Sequence, residues 1–384
     1  MGRRVIIIII CIAALAAPSG GCGWPVHSRE VDQLQLIRTL GFDSQAGGVV
    51  ASASSGPEGG ESLRLSARGE SFTDAVEKLR HWAAREELFF SHVRFAVVGE
   101  AAARRGIGPV LDYFERGTQT PLDLPLLVVR GGTARELVTA SEDPDYEITA
   151  LLAALQRDAE RTGAARSYTV LDTARQLSRS GAALCCAVEP RAAGENVPSA
   201  EKALCAVPAG YAVLKDGVLA GYLDPDAALG ADLLLGRAGA ACLVLPAGTG
   251  QITVELRGAG AELTPRYVPG RGLALEIVLH AEAGILQADG ADPQDPETRR
   301  ALDAALSEEL LARAEAALRA SRELRADFLE LRLLTERKCG ALPETLTGEA
   351  LLSSLRWELR AEARSERSYD LEAPVPLTGE EAGA

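Results

Sequence analysis

The sequence predicts an α+β protein: a mixed α/β N-terminal half, then a C-terminal half in which an antiparallel sheet is covered by one long helix. Three observations carry this. Between residues 71 and 161, apolar residues at helical spacing alternate with short apolar runs, the pattern of a sheet flanked by helices. Residues 211–222 then hold two apolar stretches joined by Asp216-Gly217, the turn a type I′ hairpin favours, and further alternating strands follow. Finally, residues 296–338 carry a helical stripe of Leu302, Leu306, Leu310, Ala317, Leu324, Phe328 and Leu331.

The chain opens on an export leader. Arg3 and Arg4 precede an uninterrupted apolar run over residues 5–17. That run is shorter than the roughly 20 residues that cross hydrocarbon as a helix and has the length of a signal-peptide core. Gly20-Gly21-Cys22 follows, with Ser19 where an aliphatic residue is usual. Small residues directly before a cysteine suit a lipoprotein signal peptidase, so the reading is a signal peptide over 1–21 and diacylglyceryl attachment at Cys22. A short permanent anchor and ordinary cleavage after a small residue are the alternatives. Two acyl chains anchor durably where one is marginal. Cys11, behind Ile10 and inside the apolar run, is a poorer acceptor.

Residues 45–60 are rich in Gly, Ala and Ser and read as hairpin or loop. Phe72, Ala75, Val76, Leu79, Trp82 and Ala83 recur at helical spacing behind Ser71, with Asp74 three residues on as in a capping box. Residues 92–98 read as a strand with Val93, Phe95 and Val97 on one face, followed by Gly99, an Ala-rich helix and a second helix over 109–116. The apolar run 124–129 suits a strand covered on both faces. Residues 133–140 and 146–161 read as helices. The stretch 191–208 is linker-like, which divides the chain into an N-terminal domain, 22–190, and a C-terminal domain, 209–372. An acidic tail, 373–384, follows. In the second half, strands are expected at 242–245, 251–257, 262–267 and 273–280, the last with Leu273, Leu275, Ile277 and Leu279 on one face. The long helix is expected to break near Ser321, and a strand over 355–364 closes the fold.

At 384 residues the chain can bury two cores, and with aromatics at 4% those cores must be aliphatic. Its net charge of −14 makes it a poor partner for nucleic acid and for anionic lipid, so membrane attachment falls to the covalent anchor. Cys185, Cys186, Cys205, Cys242 and Cys339 form no CxxC pair and read as buried free thiols, with a bridge involving Cys205 left open. His27, His81, His92 and His280 do not stand at metal-ligand spacing, so neither a metal nor a cofactor is expected. No GxSxG, Walker A or GxGxxG pattern occurs, and Ser199-Ala-Glu-Lys202 lies in the linker without its partner motifs. Glu86-Glu87 and Glu308-Glu309 would diverge on a helix surface. Asp224-Pro225-Asp226 reads as a helix start, since the other oxygen ligands of a calcium loop are missing. Nothing here argues for a catalytic residue.

Residues 88–107, LFFSHVRFAVVGEAAARRGI, resemble a signature of the Ger(x)C family, spore-germination lipoproteins that are the C subunits of nutrient germinant receptors. The resemblance extends through LDYFER at 111–116, LPLLVVRGGTA at 124–134 and LKDGVLAGYL at 214–223. Near the anchor, Cys22, Trp24, Arg29, Glu30, Val31 and Leu40-Gly41-Phe42-Asp43 correspond as well. It implies a non-enzymatic, lipid-anchored subunit on the outer face of the inner spore membrane. Such a subunit would assemble with integral-membrane A and B subunits and couple their signal. The motif residues Trp24, His92, Arg94, Gly99 and Arg116 are expected to be structural. His92 would be hydrogen-bonded at a strand start, Arg94 paired to an acid, and Gly99 would permit a tight strand-to-helix turn. The alternative is an envelope lipoprotein that binds a solute or hydrolyses an envelope substrate, which would show a deep pocket with converging carboxylates or His.

Overall fold

The computed structural model describes residues 34–56, 63–83, 87–117, 119–139, 147–192, 204–343 and 346–366. Cys22 and Trp24, most of the linker, the side chain of Cys205 and the acidic tail lie outside the described residues.

The first sheet begins with β1 (Leu34–Gln45), which turns through Gly47 into antiparallel β2 (Gly48–Ser55), and β3 (Arg64–Gly69) continues it. Helix α1 (Phe72–Trp82) follows, with the Ser71 hydroxyl accepting the Asp74 N–H at its start, as the sequence motif requires. Strands β4 (Glu87–Phe89) and β5 (Phe95–Val98) both lie parallel to β1. After α2 (Glu100–Arg105) and α3 (Gly108–Arg116), β6 (Leu126–Val129) adds parallel to β5. Three helices follow: α4 (Ala134–Thr139), α5 (Ile148–Thr162) and α6 (Val170–Ser180). Then β7 (Ala182–Ala192) pairs parallel to β6, while β8 (Leu204–Lys215) and β9 (Val218–Leu223) complete the sheet in antiparallel fashion. The β8–β9 turn is Asp216-Gly217 with φ of 51° and 77°, the double left-handed geometry that the dipeptide forecasts. The main path of the sheet runs β3-β2-β1-β5-β6-β7-β8-β9, with β4 beside β1. It therefore draws strands from both sides of residues 193–203.

Alternation within the strands separates two cores. Ala96, Val98, Leu126 and Val128 face a core that holds Phe42, Phe72 and Phe114, under α1 and α3. Phe95, Val97, Leu127 and Val129 face the opposite core, which runs on into the C-terminal half. Cys185 and Cys186, adjacent on β7, fall one in each.

The C-terminal half starts with α7 (Pro225–Leu234), whose N-cap Asp224 accepts the Ala227 N–H at 2.8 Å with proline at the first helical position. A second sheet has the order β10 (Cys242–Ala247), β11 (Gly250–Val268), β12 (Gly272–Asp289) and β13 (Arg356–Glu366). The strands expected at 251–257 and 262–267 are one long strand, β11, with its register broken between Leu256 and Gly258. The first three strands are antiparallel. Correcting the fully antiparallel expectation, β13 is parallel to β12, because the chain crosses back through α8 (Pro296–Glu323), α9 (Leu331–Cys339) and α10 (Gly348–Ser354) before pairing. Helix α8 packs on α7 so closely that a Cβ on Gly230 would meet the Arg313 carbonyl oxygen at 1.9 Å.

The expected helix break falls just after Ser321, whose hydroxyl donates to the Ala326 carbonyl at 2.8 Å. Arg325 and Glu330 take left-handed φ of 52° and 53°, and Asp327 accepts the first N–H groups of α9 from Leu331 and Arg332. Among the cysteines, Cys185 and Cys186 are buried free thiols, but Cys242 and Cys339 are exposed. The buried-thiol reading is corrected for these two. Cys242 points away from the core along β10, and Cys339 ends α9.

Candidate functional site

The motif segments converge at the carboxyl ends of the central parallel strands. Asp43, near the end of β1, is 3% exposed, and its two carboxylate oxygens accept the N–H groups of Ala134 and Arg135 at 2.8 and 2.7 Å. Burial raises its pKa above the ordinary carboxylate value, and those two N–H groups oppose the rise. Gly99 follows β5 directly, and its N–H donates to the Phe42 carbonyl at 3.0 Å. Next to it, the Glu100 N–H donates to the Gly132 carbonyl and the Glu100 carboxylate accepts the Gly131 N–H. Arg104, one turn on, bridges to the same carboxylate at 2.6 Å. Burial pushes the Glu100 carboxyl up, but the Gly131 N–H and Arg104 outweigh it, leaving the pKa below its usual value. Tyr222 on β9 reaches this corner, with the Arg130 guanidinium 4.9 Å from its ring centroid. Burial, with Glu100 alongside, pushes its phenol well above the usual range. The two carboxylates of this junction are thus held by main-chain N–H groups and by Arg104, and the arrangement is a clamp on the fold.

The predicted motif residues separate around it. Gly99 lies within the junction, yet its φ of −68° is open to any residue. Glycine is needed there for room beside Asp43. His92 is exposed in the turn before β5, its ring 5.7 Å from that of Phe89. Arg94 is also exposed, and its main-chain N–H donates to the Arg38 carbonyl at 2.7 Å. Arg116 ends α3 at the surface in an ion pair with Asp112 at 2.7 Å. It borders a groove of about 500 Å³ between α1 and α3, lined also by Arg80, Phe90, Tyr113 and Gln119. The Arg80 guanidinium there stacks 4.6 Å from the Phe90 ring centroid and donates to the Leu88 carbonyl and to Gln119. Among the described residues, no group of three or more His, Cys, Asp or Glu side chains is placed to hold a metal ion.

A second buried polar group escapes sequence reasoning. The Tyr211 hydroxyl on β8 donates to the Asp232 carboxylate of α7, 2.9 and 3.0 Å from its two oxygens, and accepts the Arg166 N–H at 2.6 Å. Arg237 donates to the Tyr168 hydroxyl at 3.2 Å and, through its main-chain N–H, to the Asp232 carbonyl. Burial pushes the Asp232 carboxyl up to about 7, against the opposing pull of Tyr211, Arg166 and Arg237. The available signal was a lone acid inside the otherwise apolar run AALGADLLLG.

Comparison with known proteins fits this picture. Residues 27–190 match the family described as spore germination protein N-terminal domain, and residues 209–345 match the one described as spore germination B3/GerAC like, C-terminal. No curated protein matches the chain. A solved structure, "Crystal Structure of the GerBC protein", superposes with a TM-score of 0.54 at 13% identity, over 85% of this chain and 96% of that one. The two family matches, on a two-sheet fold, define a spore germination protein. The chain belongs to the Ger(x)C family.

Proposed function

We propose that this chain is the lipid-anchored C subunit of a nutrient germinant receptor. Its leader, 1–21, would be removed and a diacylglyceryl group on Cys22 would hold it on the outer face of the inner spore membrane. There it would act by contact with integral-membrane A and B subunits, in assembly and signal coupling, and not by catalysis. One observation carries the reading: both germination-family segments follow, in one chain, a basic-then-apolar stretch with Gly20-Gly21-Cys22 behind it. A contact role is supported by the junction, whose carboxylates are engaged by main-chain N–H groups and arginine. Trp82, 73% exposed, offers the residue type most enriched at binding hot spots. Among the described residues no helix is long and apolar enough to cross a membrane. The thioether-linked lipid would therefore supply the attachment and raise the local concentration of the chain beside its partners.

The test is Cys22→Ala at the native locus. Labelled fatty acid should no longer attach, the protein should leave the spore membrane fraction, and the response to one nutrient group should fall. Germination by non-nutrient agents should persist. A wild-type chain that carries no label and fractionates as free protein would overturn the reading.

A further inference from the structure

Strand β13 is the edge of the second sheet: it pairs with β12 on one side, no described strand lies beyond it, and α8 bonds its main chain at the two ends, through Asp303 and Arg299 at Ser365 and through Arg322 at Leu355. Its 11 residues read RWELRAEARSE. On the face turned from the core stand Arg356, Glu358, Arg360, Glu362, Arg364 and Glu366, all exposed and alternating in sign at every step. On the other face Trp357, Leu359 and Ala361 are only half-buried. Trp357 and Leu359 border an open groove against Leu311 and Ala312 of α8.

The existing sheet matches this alternation at one end alone, where Glu282 of β12 stands opposite Arg364. Glu358 sits opposite Glu276 of β12 and Arg360 opposite Val278. The one ion pair between these strands among the described residues is His280–Glu362, at 3.9 Å. Nor does alternation serve to blunt an edge, since charge of one sign would repel an incoming strand in every register. Alternating charge repels some registers and selects others. If a second β13 lies antiparallel with Ala361 opposite Ala361, Glu358 faces Arg364 and Arg360 faces Glu362. On the inner face Leu359 meets Ala363, large against small, and the ladder stops short of Ser365, whose main chain is held by Asp303 and Arg299 of α8. A slip by two residues places like charges opposite one another, and a slip by one sets the charged face against the apolar one. A slip by four restores the match but shortens the ladder. Parallel pairing in register sets every charge against its own copy.

We propose that β13 pairs with β13 of a second copy of this chain, antiparallel about a two-fold axis at Ala361, joining the two second sheets into one. Such an interface is isologous, and the main-chain hydrogen bonds of strand addition supply its affinity while the charge pattern fixes its register.

The test uses the full lipidated chain in detergent, with Cys242→Ser and Cys339→Ser removing the exposed thiols. Ala361→Cys brings two Cβ atoms to roughly 5 Å, so mild oxidation should give a dimer with a 361–361 disulfide peptide found by mass spectrometry. Arg364→Cys sets its two copies roughly 20 Å apart and should give none. Arg360→Glu places glutamate opposite Glu362 at both symmetric positions and should weaken dimerisation about tenfold, while adding Glu362→Arg restores it. Both are exposed side chains, so the fold survives the changes. Absence of the 361 cross-link, equal cross-linking at 361 and 364, or failure of the double reversal to rescue would overturn the proposal. So would a chain that dimerises only once residues 367–384 are removed, which would make its own tail the occupant of the edge.

Discussion

The Oδ1 atom of Asp43 occupies the space that a side chain on Gly99 would need: a Cβ there would lie 1.9 Å from it. The contact ties the end of β1 to the end of β5, and through the same carboxylate to the first N–H groups of α4. Gly99→Ala should expel the carboxylate and leave buried N–H groups unpaired, destabilising the protein by about 2–4 kcal/mol. Urea unfolding should also show strong coupling with Asp43→Ala, because alanine at 99 loses its obstacle once the carboxylate is gone. Additive effects of the two changes would refute the contact.

Asp232 should make stability fall as pH rises. Its carboxyl keeps its proton to about pH 7 in the folded chain but ionises near the ordinary 3.8 when unfolded. The folded state therefore binds the extra proton between those values, and stability drops from about pH 4 to 7, then levels. The total is on the order of 4 kcal/mol. Asp232→Asn should remove this slope and gain most over wild type above pH 7, as read from unfolding midpoints across pH.

His92, Arg94 and Arg116 are exposed, so alanine at each should leave the thermal midpoint unchanged. If these positions touch a partner, the same variants should lose co-purification from spore membranes while staying folded. A lowered midpoint would instead assign them to the fold.

Thiol labelling should divide the cysteines. Cys242 and Cys339 should react with maleimide in the native protein. Cys185 and Cys186, whose thiols burial pushes up to about 12, should react only on unfolding. Mass mapping of the labelled peptides decides this.

Much of the fold was legible because short-range chemistry writes it directly. Ser71 with Asp74, Asp224 before Pro225, and Asp216-Gly217 each dictate a cap or a turn within a few residues, and all three form, although Asp74 reaches the Glu70 N–H and so leaves the Ser71 capping box half made. Strand β1 was harder to read. It carries Thr39 and Asp43 buried among apolar residues, satisfied by Thr149 and by α4, partners more than 90 residues away. Helix α6 hid behind a polar composition, although Thr169 and Asp172 form a full capping box that its sequence announces. The clamp and the Tyr211–Asp232 pair depend on strand order, which local pattern does not contain. Gly99 was read as a turn residue because glycine is usually chosen for its backbone, whereas here a neighbour's carboxylate demands it.

The ladder between β7 and β8 carries a consequence for how such chains can diverge. It knits a strand of the N-terminal family segment to one of the C-terminal segment, from Ala182–Lys215 to Ala192–Leu204. Neither segment can be exchanged between relatives as a free-standing cassette. A chimera joined within 193–203 takes one side of this seam from each parent, and it will work only where the two sides still pair.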